Sequence, residues 1–339
     1  MGKLLVNLFL GGAAFAVLTF FVMLARALLA VTAYLYEVLR DGHLHPVNIL
    51  DINGPFTTFW LAVAQIVFFL LVPLFLLVLL YPAVDKTNAA ADRTPPPFNP
   101  EGKDVLVALT AYNEEQAVGM VVDEFLACPQ VREVVVVDNN STDRTAERAR
   151  AHGATVVPER QQGYGHACIR GLTEGLARPW ARMIVLCEGD GSYIGGDLGK
   201  LLPYLSEADM VIGNRTTHVL VQPGAFMDWF ISWGNMFMGL LIRLRYWNAV
   251  FFGRVRLTDG GCTFRALRRE ALVPVLPTLK EGGPHFCSHM IMRVLDQNQT
   301  VVEVPIRFRR RLGQSKYSSS SRKKAFSVGI GMWAEIAWR

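Results

Sequence analysis

Two carboxylates stand two residues apart at the end of an apolar run, Glu188 and Asp190 in Val185-Leu186-Cys187-Glu188-Gly189-Asp190-Gly191. Hard divalent cations take oxygen ligands, and a strand that ends in a tight turn can aim two such side chains at one ion. Three other apolar runs also end in polar clusters. They are Thr110-Ala111-Tyr112-Asn113-Glu114-Glu115, Asp138-Asn139-Asn140-Ser141-Thr142-Asp143 and Gly213-Asn214-Arg215. Ligands of open parallel sheets bind outside the carboxyl ends of the strands. Four such ends on one edge describe a site of carboxylates, small residues and one arginine. Taken singly, the stretch 138–143 also reads as helix capping, and an acid-x-acid pair as a solvated turn. Arg215 has no acid beside it in sequence, which suits either a two-pronged phosphate contact or an ion pair formed through the fold.

The elements that must carry these ends alternate. Apolar runs at Asp104–Thr110, Val131–Val137, Ala154–Val157, Met183–Leu186 and Met210–Ile212 read as strands. Helical spacing runs over Asn113–Ala127, Asp143–Ala151, Ala167–Ala177 and Leu198–Leu205. This alternation predicts an α/β domain with a mostly parallel sheet covered on both faces. Phe226–Tyr246 is apolar and aromatic, with Arg243 and Arg245 near its end. Ala325–Arg339 sets Phe326, Ile330, Trp333, Ile336 and Ala337 along one face. Both stretches fit helices lying in a membrane interface, and both also fit core helices.

The first 84 residues differ in kind. Leu4–Ala25 and Phe56–Leu80 are apolar enough to cross a hydrocarbon core of about 30 Å and predict two transmembrane helices, about 4–25 and 56–80. A cleaved signal peptide competes for the first. Lys3, Lys86, Arg93 and Lys103 flank the outer ends, which favours cytoplasmic termini and a cytoplasmic catalytic domain on an integral membrane protein. Residues 85–102, with Pro-Pro-Pro-Phe-Asn-Pro, form a linker. The catalytic domain is expected over 103–317, with a basic loop and an amphipathic helix over 318–339. Hydrophobic residues make up 51% of the 339, and only 19% are charged, below the roughly 25% of soluble domains. The five cysteines form no CxxC pair, which favours free thiols. The net charge of +5 concentrates beyond Arg243 and peaks over Arg307–Lys324. That run holds only Phe308 and Tyr317 as aromatics and does not suit nucleic acid.

In order and spacing, the motifs TAYNEE, VVVVDNNSTDRT, QQGYGHACIRG, EGDGSY, IGNR, TDGGCTFRALRREAL and VPIRFRRRLGQSKY resemble those of family 2 glycosyltransferases. They are most similar to the polyprenyl-phosphate group, which includes dolichyl-phosphate mannose synthase and the bacterial undecaprenyl-phosphate glycosyltransferases. The resemblance covers 104–317 and implies a GT-A fold with a UDP- or GDP-linked sugar as donor. It places Thr110, Ala111, Tyr112, Asn113, Glu114, Asp138, Asn139, Gly163 and Gly165 at the donor, with Thr110 where the family has proline. Glu188, Gly189 and Asp190 match the metal-binding acid pair, Glu188 replacing the usual aspartate, for Mg²⁺ or Mn²⁺ on the diphosphate. Arg215 is implied at the acceptor phosphate, and Arg265 is taken as a further site residue there. Asp259 matches the catalytic carboxylate, acting as base toward an alcohol or, with a phosphate acceptor, only orienting the acceptor or the sugar.

The element R-x-x-G-x-S-K matches Arg310, Gly313, Ser315 and Lys316, implying that Arg310, Ser315 and Lys316 close on the diphosphate. If 301–307 is a strand, Arg309 and Arg311 share one face and Arg310 takes the other. His166 reads as a cap or rim residue. His285 and His289 lack a third metal ligand but fall where the family lines its sugar pocket. No Q-x-x-R-W element follows Asp259, so the expectation is transfer of one sugar rather than polymerisation. The implied partners are a nucleotide sugar, a polyprenyl phosphate and a membrane, without nucleic acid, and a homo-oligomer is left open. Two other readings stand beside this one: a glycolipid synthase with a lipid-alcohol acceptor, and an inactive membrane scaffold.

Overall fold

The computed structural model describes residues 21, 22, 24, 25, 28, 29, 32, 35, 36, 38–42, 61, 64, 67, 68, 102–225, 229–251, 253–312, 329–333, 335 and 336. The chain divides into two units, 1–92 and 93–339. In the first, the described residues up to Asp41, together with Leu61, Ala64, Val67 and Phe68, are helical. Most of their apolar side chains are exposed, Leu39 at 83%. Among the described residues no helix is long and apolar enough to cross a membrane. The expected spans 4–25 and 56–80, the linker over 85–102 and the basic loop that opens the segment 318–339 lie wholly or largely outside the described residues.

The second unit is built on one seven-stranded sheet. Its strands are β1 (Val105–Ala111), β2 (Val131–Asp138), β3 (Thr155–Pro158), β4 (Met183–Glu188), β5 (Met210–Asn214), β6 (Arg265–Arg268) and β7 (Val301–Pro305), in the order β3-β2-β1-β4-β6-β5-β7. All pairings are parallel except those of β6, which runs antiparallel between β4 and β5. Two reversals cancel, so β5 points the same way as β4. The carboxyl ends of β1, β2, β4 and β5 therefore emerge on one edge, as the sequence predicts. Strand β1 is buried along its whole length, as a parallel strand covered on both faces must be.

The described residues of this unit also form helices α1 (Val118–Leu126), α2 (Thr145–Ala151), α3 (Tyr164–Leu176), α4 (Leu198–Leu201), α5 (Trp229–Arg245), α6 (Trp247–Phe251), α7 (Arg269–Val275) and α8 (Phe286–Asp296). Helix α1 starts five residues later than the spacing from Asn113 suggests, because Asn113 takes a left-handed φ of 56° and turns the chain first. Helix α3 starts three residues earlier than expected, and α4 gives way to a 3₁₀ turn over Leu202–Ser206 that contains Pro203. Strand β6 escapes the sequence reading because Arg-Ala-Leu-Arg has neither β-branched residues nor alternation.

Helix α5 has two faces. Met238, Ile242 and Tyr246, just beyond its end, pack inward, while Trp233, Met236, Phe237, Leu240 and Leu244 form an exposed apolar stripe. Arg245 donates to the carbonyl of Ile336, and His289 Nδ1 meets Glu335 Oε1 at 2.6 Å, so the carboxyl-terminal helical residues dock on α5 and α8. The single face expected for that segment is in fact split. Met332 and Ile336 are buried, and Ile330 and Trp333 face outward.

Candidate active site

Residue by residue, the acid turn is held in place. Glu188 sits opposite Thr110 in the β1–β4 register, and the Gly189 N–H donates to the Thr110 carbonyl at 2.9 Å. Only the backbone of Thr110 is used in this bond, so the family's proline is not needed for it. Asp190 accepts the Ser192 N–H on Oδ1 at 2.9 Å, and its Oδ2 lies 3.4 Å from Arg311. Thr263 donates its hydroxyl to Glu188 Oε1 at 2.7 Å. The Tyr164 hydroxyl, 2.5 Å from the Thr263 oxygen, must then be the donor to Thr263. Burial, and then the Asp190 charge, push the Glu188 carboxyl up to about 7, although the Thr263 bond and the cations of Arg311 and Arg215 pull the other way.

Arg215 and Asp259 form the second centre. The guanidinium donates Nε to Asp259 Oδ2 at 2.8 Å and Nη2 to Oδ1 at 2.9 Å, and the Arg215 backbone N–H adds a third bond at 3.0 Å. Asp259 is fully buried. The Arg215 Nη1 reaches the Tyr193 hydroxyl at 3.3 Å, and the guanidinium lies 5.3 Å above the Phe308 ring. The Tyr193 hydroxyl also accepts the Thr263 N–H at 3.3 Å. Glu188, Thr263, Tyr193, Arg215 and Asp259 thus form one connected network spanning the ends of β4 and β5. Tyr164, Tyr193 and Thr263 are the members that sequence reading missed. Nothing in their spacing marks them, since each reaches the network from a different element.

The basic segment follows the alternation expected of it. Arg309 points inward, Nε to the Gly191 carbonyl at 2.5 Å and Nη1 to Glu124 Oε1 at 2.8 Å. Arg311 also points inward and bridges Glu114 and Asp190. Arg310 is exposed, with no side-chain partner among the described residues. The arginine standing at the acid turn is therefore Arg311, one residue beyond the motif arginine. Arg307 grips Asp197 with three bonds of 2.6–2.9 Å. Ser315 and Lys316 lie outside the described residues.

At the first two strand ends, Ala111 accepts the Asn139 N–H at 2.9 Å. Asn113 accepts the Thr142 N–H at 2.8 Å, and Asp138 accepts the Ser141 N–H at 3.2 Å. Asp143 takes the Thr145 N–H and hydroxyl and the Glu115 N–H, so 138–143 ties the end of β2 to the first residue of α2 and to the β1 end. Tyr112 stays partly open and Glu114 is buried.

Four expected contact residues have structural work. Asn139 spends its amide on the carbonyls of Glu159 and Gln161 and on the N–H of Gly163. Gly163 and Gly165 do give close approach, but to the chain's own backbone. A Cβ on Gly163 would stand 2.4 Å from the Gly282 oxygen, and one on Gly165 would stand 2.1 Å from the Glu281 oxygen. Arg265 is fully buried and donates to the carbonyls of Cys262 and Cys287 at 2.8 Å each, away from solvent. His289 faces Glu335, and His285 lies against Gly331, so neither lines the sheet edge. All five cysteines are free thiols.

Among the described residues no group of three or more His, Cys, Asp or Glu could hold a metal by itself. Two carboxylates that already attract a guanidinium still suit an ion of the Mg²⁺ type, which keeps one or two protein ligands and fills its shell from phosphate and water.

Residues 106–273 match the model of glycosyl transferase family 2. An uncharacterised glycosyltransferase of Mycobacterium tuberculosis is 31% identical over 238 residues, covering 70% of this chain and 99% of that protein. An undecaprenyl-phosphate mannosyltransferase of Micrococcus luteus is 30% identical, covering 69% and 95%. A dolichyl-phosphate hexose transferase of Haloferax volcanii is 30% identical, covering 63% and 86%. Among solved structures, glucosyl-3-phosphoglycerate synthase of M. tuberculosis in complex with Mn²⁺, UDP-glucose and phosphoglyceric acid superposes with a TM-score of 0.51. At 20% identity, and covering 70% of this chain and 80% of that one, it shows a shared GT-A-like fold. The sheet order, the acid turn and these relatives together establish that the chain is a glycosyltransferase belonging to glycosyl transferase family 2.

Proposed function

We propose that the protein transfers one sugar, with inversion, from a UDP- or GDP-linked donor to a polyprenyl phosphate at a membrane surface. The observation that carries this reading is the Arg215–Asp259 pair. Both oxygens of Asp259 already accept guanidinium bonds, so the carboxylate is poorly placed to take a proton from an incoming alcohol. A lipid phosphate needs no such base, because the second pKa of a phosphate monoester is about 6. Arg215 would meet the acceptor phosphate with Asp259 orienting it. Relatives named for undecaprenyl and dolichyl phosphates support the acceptor class, and the exposed stripe on α5 suits a lipid interface.

The donor would lie along the ends of β1, β2 and β4. Tyr112, Glu114 and Asp138 would face the nucleoside and Arg311 the diphosphate, with the exposed Arg310 able to close over it from the outer side. Glu188 and Asp190 would hold Mg²⁺ or Mn²⁺, with Asp190 as the closer ligand. A bound ion supplies stabilisation of the charge that builds on the departing diphosphate. The Arg311 guanidinium, already at Asp190, adds cationic charge at the same place.

The test uses the full chain in membranes with a panel of labelled UDP- and GDP-sugars, with and without polyprenyl phosphate. Label entering the lipid phase only when the lipid phosphate is present supports the reading. Label entering diacylglycerol or a polyprenol instead assigns a lipid-alcohol acceptor, and no transfer or donor hydrolysis with any sugar leaves a binding scaffold. The anomeric configuration of the product reports inversion.

A further inference from the structure

Glu303, on β7, lies outside every motif described above, yet it joins both halves of the Arg215–Asp259 centre. Its Oε1 accepts the backbone N–H of Asp259 at 2.6 Å. Its Oε2 accepts the Thr258 hydroxyl and the Asn214 amide, each at 2.7 Å. Asn214 in turn accepts the N–H and the hydroxyl of Thr216 at 2.8 and 2.6 Å. One carboxylate therefore fixes the residue before Asp259 and its own amide. Through Asn214 it also fixes the residues on both sides of Arg215. The strand register puts Glu303 opposite Ile212, two residues before Asn214, so β7 delivers the side chain to the strand end.

The donors that hold Glu303 are all neutral. No ion pair to it is formed among the described residues, and burial raises its carboxyl above the ordinary range against the pull of those bonds. A half-buried carboxylate without a cation costs stability, and a hydrophobic residue would suit a strand interior better. Its placement is explained by what it ties together.

We propose that Glu303 is the positioning residue of the reaction, holding the Thr258–Asp259 turn and the Asn214–Thr216 strand end in the one arrangement that lets Asp259 grip Arg215 with both oxygens. The proposal rests on the reading of Arg215 and Asp259 as the acceptor-side centre, and it goes beyond that reading by assigning a residue that touches neither substrate.

Glutamine at this position is not a silent replacement. Glu303 offers acceptors on both oxygens to three donors, whereas glutamine replaces one oxygen with an NH₂ that faces a donor wherever it points. Aspartate keeps the charge but is one methylene too short to span both ends.

The experiment compares Glu303→Gln and Glu303→Asp with the native chain in kinetics, in amide hydrogen exchange of the peptide over 256–262, and in a double-mutant cycle with Asp259→Asn. The expected result is a fall in kcat of at least tenfold with donor KM within about threefold. Faster exchange at 256–262 with unchanged exchange in β1 should accompany it. The Glu303→Gln and Asp259→Asn losses should be far from additive, as for residues acting through one another. Native kcat in Glu303→Gln, or a purely additive cycle, overturns the proposal, as does faster exchange throughout the sheet, which would mark a general loss of stability. If the native chain does not use polyprenyl phosphate, the proposed acceptor fails separately. The role of Glu303 is then still decided by the exchange at 256–262 and by the same cycle run on whichever acceptor, or on water, receives the sugar.

Discussion

Arg215 and Asp259 are held face to face by paired bonds of 2.8 and 2.9 Å, 44 residues apart in sequence, with Asp259 fully buried. Removing one member of a buried pair leaves the other charge uncompensated, at a cost of about 3 kcal/mol. Asp259→Asn should therefore lower stability by about that amount, read from the urea midpoint. It should slow transfer while leaving nucleotide binding, measured by calorimetry, within a few-fold. Loss of nucleotide binding in this variant would place Asp259 on the donor side instead.

The two acids of the turn should not be equivalent. Asp190 has an oxygen directed at the cation of Arg311, whereas Glu188 spends an oxygen on Thr263. Asp190→Asn should reduce transfer far more than Glu188→Gln, by at least tenfold in kcat. Equal losses would show that both ligate the ion directly.

Glu188 also predicts a pH dependence. Its folded carboxyl sits at about 7, against 4.5 for an ordinary glutamate. The folded state therefore holds a proton that the unfolded state gives up between these values. The resulting stabilisation is fully present below about pH 4.5 and is lost as pH rises through about 7. The raised affinity corresponds to something on the order of 3 kcal/mol. In metal-free protein the urea midpoint should fall across this window more steeply for the native chain than for Glu188→Gln. Parallel curves would remove Glu188 as the source.

Neighbouring arginines separate binding from stability. Arg310→Ala should leave stability within about 0.5 kcal/mol, as expected of an exposed side chain, and raise the donor KM. Arg311→Gln should tighten binding of Mn²⁺ alone severalfold, by removing a cation that competes for Asp190, while lowering the rate of transfer. Titration by electron paramagnetic resonance reads the first effect. Weaker binding of Mn²⁺ alone would mean that Arg311 does not compete.

The glycines divide in the same way. Gly165→Ala drives a Cβ into the Glu281 carbonyl and should cost about 1–3 kcal/mol. Gly199, in α4, has nothing within 4 Å of an added Cβ, and Gly199→Ala should be neutral or gain about 0.5–1 kcal/mol. Thermal melts of the two variants check both.

Legibility in the sequence followed distance along the chain. β1, β2, β4 and β5 and their polar ends could be read because each strand is an apolar run with its site residues directly attached. Arg309 and Arg311 share one face as a period of two predicts, although β7 itself ends at Pro305. Strand β6 and the partners Thr263, Tyr193 and Glu303 could not, because their roles arise only when segments from different elements meet. The resemblance put Gly163 and Gly165 at the donor, and only the fold shows that their near neighbour is the backbone of residues 281–282. The pairing of Arg215 with Asp259 was one of two readings of a lone arginine, and tertiary structure supplied the missing acid.

The most direct test of the account is the chemical stability of the lipid product. The full chain is incubated in membranes with its nucleotide sugar and polyprenyl phosphate, and the extracted lipid is treated with mild acid and examined by mass spectrometry. The expected product is a lipid carrying one sugar on its phosphate, from which the intact sugar is released under these conditions. An acid-stable glycoside, or a lipid carrying several sugars, would contradict it.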